Sequence, residues 1–274
     1  MNKESYFISK FPKKYIGDDG AIIGKNIYVA DGFFENVHFK REWFSLDEIA
    51  YKSVSVNVSD IYSMGAIPKY ALLTVAIPKN FSKNELDELA SGFLRASKDY
   101  NFEIIGGDTL SNTKLDISVT LTGELLKSPI LRSGAKVGDF IAHTGKLGES
   151  KRDLEKLLKS QKIKKSSRFI NPKLRGKFIL KIANYVSAGL DISDGLYSEL
   201  EHLSKNSQKN IQLKREIRKQ IACSGEEYEF LFTFPKRNQK KIIAIAKHLK
   251  IPINLIGKIQ KGKPFRNSCK RHHF

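Results

Sequence analysis

Residues 115–122, LDISVTLT, alternate Leu115, Ile117, Val119 and Leu121 with Asp116, Ser118, Thr120 and Thr122. Successive side chains of an extended chain point to opposite faces, so this period of two predicts a β-strand with one face on a core and the other in water. Working outward, further strands are expected at 27–31, 70–77, 102–106, 139–143, 188–192, 229–234 and 253–256. Helices are expected between them. Two begin in capping boxes, Ser45-x-x-Glu48 and Ser82-x-x-Glu85, whose side chains satisfy the first free backbone N–H groups. The elements do not alternate strictly as a doubly wound sheet would, so the expected class is mixed α/β (α+β), with the strand pairing left open.

Pro, Ser and Gly interrupt the pattern in KSPILRSGAKVGD at 127–139, and two domains are expected, 1–128 and 129–274. A chain of 274 residues that is 41% apolar can bury a sizeable core. It contains no apolar run of about 18 residues, and its start, MNKESYFISKFPKK, lacks the apolar block of a signal peptide. No membrane association and a cytoplasmic location are therefore expected. Cys223 and Cys269 are the only cysteines, and both are expected to be spectators, neither disulfide-bonded nor zinc ligands. The net charge of +19, densest at 159–169 and 261–273, raises the question of a nucleic-acid partner. No nucleic-acid module is recognisable, and lysine-rich solvated faces or an anionic small-molecule substrate account for the charge equally well; nucleic acid is not expected.

Carboxylates recur beside glycines and at predicted strand ends: Ile16-Gly17-Asp18-Asp19, Val29-Ala30-Asp31, Gly106-Gly107-Asp108 and Leu190-Asp191-Ile192-Ser193-Asp194-Gly195, with Asn57-Val58-Ser59-Asp60 on a predicted helix. Any one of them also reads as an Asx-turn or helix cap. Five together point to a hard cation, because aspartates gathered without one repel or share a proton. Magnesium fits best, since it keeps waters, takes a few carboxylates and leaves positions for phosphate oxygens. On the helix expected at 47–64, Ala50, Val54, Val58 and Ile61 face a core, while Ser53, Asn57 and Asp60 form a second stripe, facing either a metal site or solvent. Gly106-Gly107 would let backbone approach a phosphate closely. Gly257 to Lys263 imitates a P-loop only in part, because Pro264 stands where the Ser or Thr should be, and it reads as a basic turn. Arg132 is either a phosphate clamp or a surface charge, and His38 either an anion contact or a packed ring.

In order along the chain run GDD (17–19), Asp31 with NVHF (36–39), SVNVSDIYSMGAIP (55–68), IGGDT (105–109), RSGAKVGD (132–139), TGKLGES (144–150), LDISDGL (190–196) and SGEEYEFLFT (224–233). This order resembles the thiamine-monophosphate kinase family, in the superfamily of aminoimidazole ribonucleotide synthetase and selenophosphate synthetase. The resemblance implies a two-domain fold like aminoimidazole ribonucleotide synthetase, with N-terminal domains forming an intersubunit β-barrel in a homodimer and a C-terminal α/β domain. It implies ATP and several magnesium ions held by Asp19, Asp31, Asp60, Asp108, Asp191 and Asp194. ATP contacts would come from Gly107, Asp108, Arg132 and Ser193, and thiamine monophosphate would meet His38 and Glu226. The implied reaction is direct γ-phosphoryl transfer to give thiamine diphosphate. A phosphate acceptor is already ionised, so no catalytic acid or base is implied.

Three departures from the family pattern stand out. Val29 and Ala30 occupy positions where the family usually has Ser or Thr, and Ser224-Gly225-Glu226-Glu227-Tyr228-Glu229 replaces Gly-Gly-Glu-Asp-Tyr-Glu. Trp43, the only tryptophan, lies far from the family's Trp-containing tail. The absence of Cys before residue 223 argues against a selenophosphate synthetase, and the ending His272-His273-Phe274 against a hydrogenase-maturation relative. Two other readings stay open: a nucleic-acid-binding protein on the same scaffold, and a regulatory nucleotide-binding protein, suggested by Val29 and Ala30.

Overall fold

In the computed structural model, which describes residues 3–269, the chain builds two five-stranded sheets. Met1, Asn2 and residues 270–274, including the His272-His273-Phe274 ending and the last basic residues of the 261–273 stretch, lie outside the described residues.

A short helix, α1 (Lys3–Ile8), precedes the first group of elements: β1 (Ala21–Ile23), β2 (Asn26–Phe34), α2 (Leu46–Ser63), β3 (Ala66–Pro78), α3 (Lys83–Tyr100), β4 (Glu103–Asn112) and β5 (Asp116–Leu125). The sheet order is β1-β2-β5-β3-β4, antiparallel except for the β3–β4 pair. The alternation in β5 works as expected: Ile117, Val119 and Leu121 are fully buried, while the residues between them are only half-buried. On the inner face α2 and α3 cover the sheet. Both helices open with the expected capping boxes, at Ser45 and Ser82. Ile49, Ala50, Val54, Val58 and Ile61 are all 0% exposed, and each of the larger ones contributes about 1.5–3 kcal/mol by leaving water. The two helices touch at Gly92, where a Cβ would fall 2.2 Å from the carbonyl oxygen of Asp47, so only glycine permits this spacing. On the opposite face Tyr28, Tyr70 and Leu72 are exposed, and the edge strand β4 exposes Ile105 and Leu110.

The second group comprises β6 (Phe140–Thr144), α4 (Glu149–Leu158), α5 (Gly176–Ile182), β7 (Ala188–Asp191), α6 (Leu196–Ser207), β8 (Asn210–Leu213), α7 (Lys219–Ala222), β9 (Phe230–Phe234), α8 (Gln239–His248) and β10 (Ile253–Gln260). Its sheet order is β7-β9-β6-β10-β8, antiparallel throughout. One core lies between this sheet and α6, another between it and α5 with α8. No helix among the described residues is long and apolar enough to cross a membrane.

Three expectations need correction. Gly257 to Gln260, expected within a basic turn, continue β10 and pair with β8, with a bulge between Leu255 and Gly257. The basic stretch 159–169 is not simply a solvated face. Ser167, Arg168 and Phe169 turn inward, and Arg168 joins Arg175 on the fully buried carboxylate of Glu229. Cys223 and Cys269 are disulfide-bonded, although 46 residues apart. The terminal segment folds back over α6, with Phe265 edge-on to Tyr197 at 5.5 Å and Asn267 donating to Ser198 Oγ at 2.8 Å, which carries Cys269 to the end of α7. Linear spacing gave no sign of that return.

Candidate active site

The C-terminal part of α2 faces the ends of β2 and β7, and there the acidic motifs converge. One carboxylate oxygen each from Asp19, Asp60 and Asp191 lie within 4.8 Å of one another. Asp19 comes from the loop before β1, Asp60 from α2 and Asp191 from the last position of β7, so both sheets contribute.

Small polar side chains of α2 hold these groups. Ser59 Oγ donates to Asp191 Oδ2 at 2.6 Å, and Ser63 Oγ donates to Asp19 Oδ2. Asn57 Oδ1 accepts the backbone N–H of Asp31 at 3.1 Å, while its Nδ2 donates to the carbonyl of Ser53 at 3.0 Å. Ser53 and Asn57 are buried, so the second stripe of this helix faces the site and not solvent. Asp31 shares the inner face of β2 with buried Ile27, Val29 and Phe33.

Arg132 is the cation of the cluster. Its Nε donates to Asp19 Oδ1 at 2.8 Å, its Nη2 lies 2.7 Å from the same oxygen, and its backbone N–H donates to Asp18 Oδ1 at 2.7 Å. One guanidinium does not balance the group. Burial, then the charges of Asp191, Asp31 and Asp19, hold the Asp60 carboxyl well above the ordinary carboxylate range. Burial and then the charge of Asp19 push Asp191 up to about 8. Such a set of hard oxygen donors, short of positive charge, suits a divalent cation.

The other expected residues stand around this centre. Asp194 lies three residues beyond Asp191, and its backbone N–H donates to Glu199 Oε1 at 3.0 Å. Glu199, buried in the first turn of α6, is also raised by burial and then by the Asp191 charge. Ser193 accepts the backbone N–H of Glu226 at 2.6 Å through its carbonyl. Asp108 is exposed on β4 in register with Thr74, outside the close group. Gly107 beside it has φ +148°, and a Cβ there would lie 1.8 Å from the carbonyl oxygen of Leu73, so the neighbouring strand already demands glycine. His38 accepts the Phe34 N–H on Nδ1 at 3.0 Å and stacks on Phe33 with centroids 5.6 Å apart. Glu226 pairs with Lys52 at 2.5 Å. Sequence reading passed over Lys52, Glu199 and Ser63. Ser59 and Ser63 both stand inside the motif at 55–68, without a role assigned to either.

Comparison with known proteins follows this geometry. A family model described as AIR synthase related protein, N-terminal domain, matches residues 17–125. Thiamine-monophosphate kinase of Aquifex aeolicus (strain VF5) is 30% identical over 278 residues, covering 91% of this chain and 88% of the relative. That of Buchnera aphidicola subsp. Acyrthosiphon pisum (strain APS) is 36% identical, covering 90% and 84%. The chain belongs to the thiamine-monophosphate kinase family. Among solved structures, AaThiL complexed with AMPPCP and TMP has a TM-score of 0.87 at 27% identity, over 99% of this chain and 96% of that one. A HypE–HypF complex shares the fold, with a TM-score of 0.79 at 19% identity over 94% and 93%.

Sequence reading set Val29 and Ala30 apart from the thiamine-monophosphate kinase family's pattern, and the structure places the two on opposite faces of β2. Val29 is a core side chain on the inner face of β2, and Ala30 is exposed on the opposite face. Trp43 packs against the first core, 6.4 Å from the Phe169 ring.

Proposed function

We propose that the protein transfers the γ-phosphoryl group of ATP to thiamine monophosphate, giving thiamine diphosphate and ADP. The observation that carries the proposal is the close group of Asp19, Asp60 and Asp191, joined from both sheets and undercompensated by Arg132. Family membership and the ligands named for AaThiL point the same way.

In this reading Asp19, Asp31, Asp60, Asp108, Asp191 and Asp194 hold magnesium ions. When bound there, magnesium neutralises charge on the phosphate oxygens and so favours their approach. Gly107, Asp108, Arg132 and Ser193 bind ATP, and His38 and Glu226 bind the acceptor. Ser59 and Ser63 fix the carboxylates they touch, which pre-organises the site before substrates arrive. The new P–O bond forms to an acceptor phosphate oxygen that is already ionised, and the bond from the γ-phosphorus to the β–γ bridging oxygen breaks. No side chain has to move a proton.

The same proposal includes two domains, 1–128 and 129–274, a homodimer and a cytoplasmic location. Exposed Tyr28, Tyr70 and Leu72, together with the unpaired edge of β4, are the surface from which two N-terminal sheets would close an intersubunit barrel. The test is a turnover assay with purified protein, ATP and thiamine monophosphate, following thiamine diphosphate by chromatography, with magnesium and after chelation. Product that requires both acceptor and magnesium is expected. ATP binding with no product would overturn the proposal in favour of a regulatory nucleotide-binding role.

A further inference from the structure

Lys52 is fully buried in α2, a state that lysine almost never adopts unless paired. Its Nζ lies 4.0 Å from the Phe169 ring centroid, 5.4 Å from that of Phe44 and 5.8 Å from that of Phe33. Within this aromatic surround it donates to the carbonyl of Phe169 and to Glu226 Oε2, each at 2.5 Å. These acceptors lie 117 and 174 residues further along the chain, so one ammonium joins the helix of the first sheet to two loops of the second half. Apolar residues would fill such a space more cheaply, and retaining a charge there calls for something that the charge does.

What it holds is Glu226. That residue has φ 55°, a left-handed conformation strained for a non-glycine residue, and its N–H donates to the carbonyl of Ser193, between Asp191 and Asp194. Its side chain is 28% exposed, and among the described residues only Oε2 takes a hydrogen bond. The carboxylate is thus gripped by one oxygen while the other remains available.

We propose that Lys52 is a positioning residue for the acceptor: its buried ammonium fixes Glu226 so that the free oxygen meets an amino or cationic group of the acceptor. This rests on the kinase reading above. Lys52 itself touches no substrate, and it acts on the acceptor and not on ATP.

The test is steady-state kinetics and calorimetric acceptor binding on the wild type, Lys52→Met, Glu226→Gln and the double variant, with melting temperatures alongside. Lys52→Met is expected to raise KM and Kd for thiamine monophosphate at least about tenfold while KM for ATP stays within about twofold. The double variant is expected to match Glu226→Gln alone, since both lose the same fixed carboxylate. A lowered melting temperature with unchanged acceptor KM and Kd would reduce Lys52 to a structural role and overturn the inference. Should Lys52→Met fail to fold, the double variant removes the stranded carboxylate as well. A tenfold worse acceptor KM in the double variant than in Glu226→Gln would then overturn action through Glu226. A wild type that neither binds nor phosphorylates thiamine monophosphate overturns the kinase reading itself, and this inference with it.

Discussion

Replacing Asp191 by Asn separates what the aspartate cluster does for chemistry from what it does to folding. Asp191 is 4% exposed, and burial with the adjacent Asp19 charge raises its carboxyl from 3.8 to about 8. The raised value means that the folded chain keeps a proton which the unfolded chain has released. The group's contribution to stability is therefore full below pH 3.8 and is lost as pH rises towards 8. At about 1.4 kcal/mol per pH unit, the loss by pH 7 is up to about 4 kcal/mol. Asn has the shape of the protonated acid and keeps an oxygen to accept from Ser59 Oγ. Metal-free Asp191→Asn is thus expected to resist urea more than the wild type at pH 7, with a flatter dependence of its midpoint on pH between 5 and 8. Its turnover is expected to fall by about 10²–10³-fold or more, and magnesium should raise its melting temperature less than that of the wild type. A metal-free variant less stable than the wild type at pH 7, or one with near-normal turnover, would refute the reasoning.

Other perturbations test separate parts of the structure. Arg132→Lys keeps the charge but loses the planar fork now on Asp19, and is expected to raise KM for ATP at least about tenfold with little change in melting temperature. Gly107→Ala forces a Cβ to 1.8 Å from the Leu73 carbonyl oxygen at φ +148°, and should cost about 3 kcal/mol or more in chemical denaturation or leave the protein insoluble. Cys269→Ser opens a link between residues 46 apart and is expected to lower unfolding free energy by about 2–4 kcal/mol under non-reducing conditions, and by much less with reductant present.

Period-two alternation and capping boxes report on neighbours along the chain, and β5, α2 and α3 were accordingly legible in the sequence. The short strands β1 and β8 were not, because Ala21–Ile23 and Asn210–Leu213 are too brief to show a period. In the site, Asp19, Asp60 and Asp191 were legible through Gly-Asp and Ser-Asp motifs. Their mutual approach depends on how α2 crosses between the two sheets, which no local pattern encodes. In the sequence Glu199 belongs to no acidic motif, and Lys52 is one more lysine in a basic chain. Burial alone distinguishes them, and burial is a property of the assembled fold. The Cys223–Cys269 bond is hidden from the sequence for the same reason, since proximity across a returning segment has no counterpart in spacing.

α2 carries Lys52, Asn57, Ser59, Asp60 and Ser63 along 18 residues, about 27 Å of rod at 1.5 Å per residue. Four of these side chains each reach a different distant segment: Lys52 meets Glu226, Asn57 the backbone of Asp31, Ser59 Asp191 and Ser63 Asp19, while Asp60 joins the carboxylate group directly. The helix therefore indexes distant pieces of chain against one another, and the index is angular as well as linear. Inserting one residue between Lys52 and Asn57 would turn everything beyond it by about 100° and break the Lys52 register with all the others at once. An insertion in the loop before Leu46 would leave that alignment intact, so tolerance to insertion should drop abruptly where α2 begins.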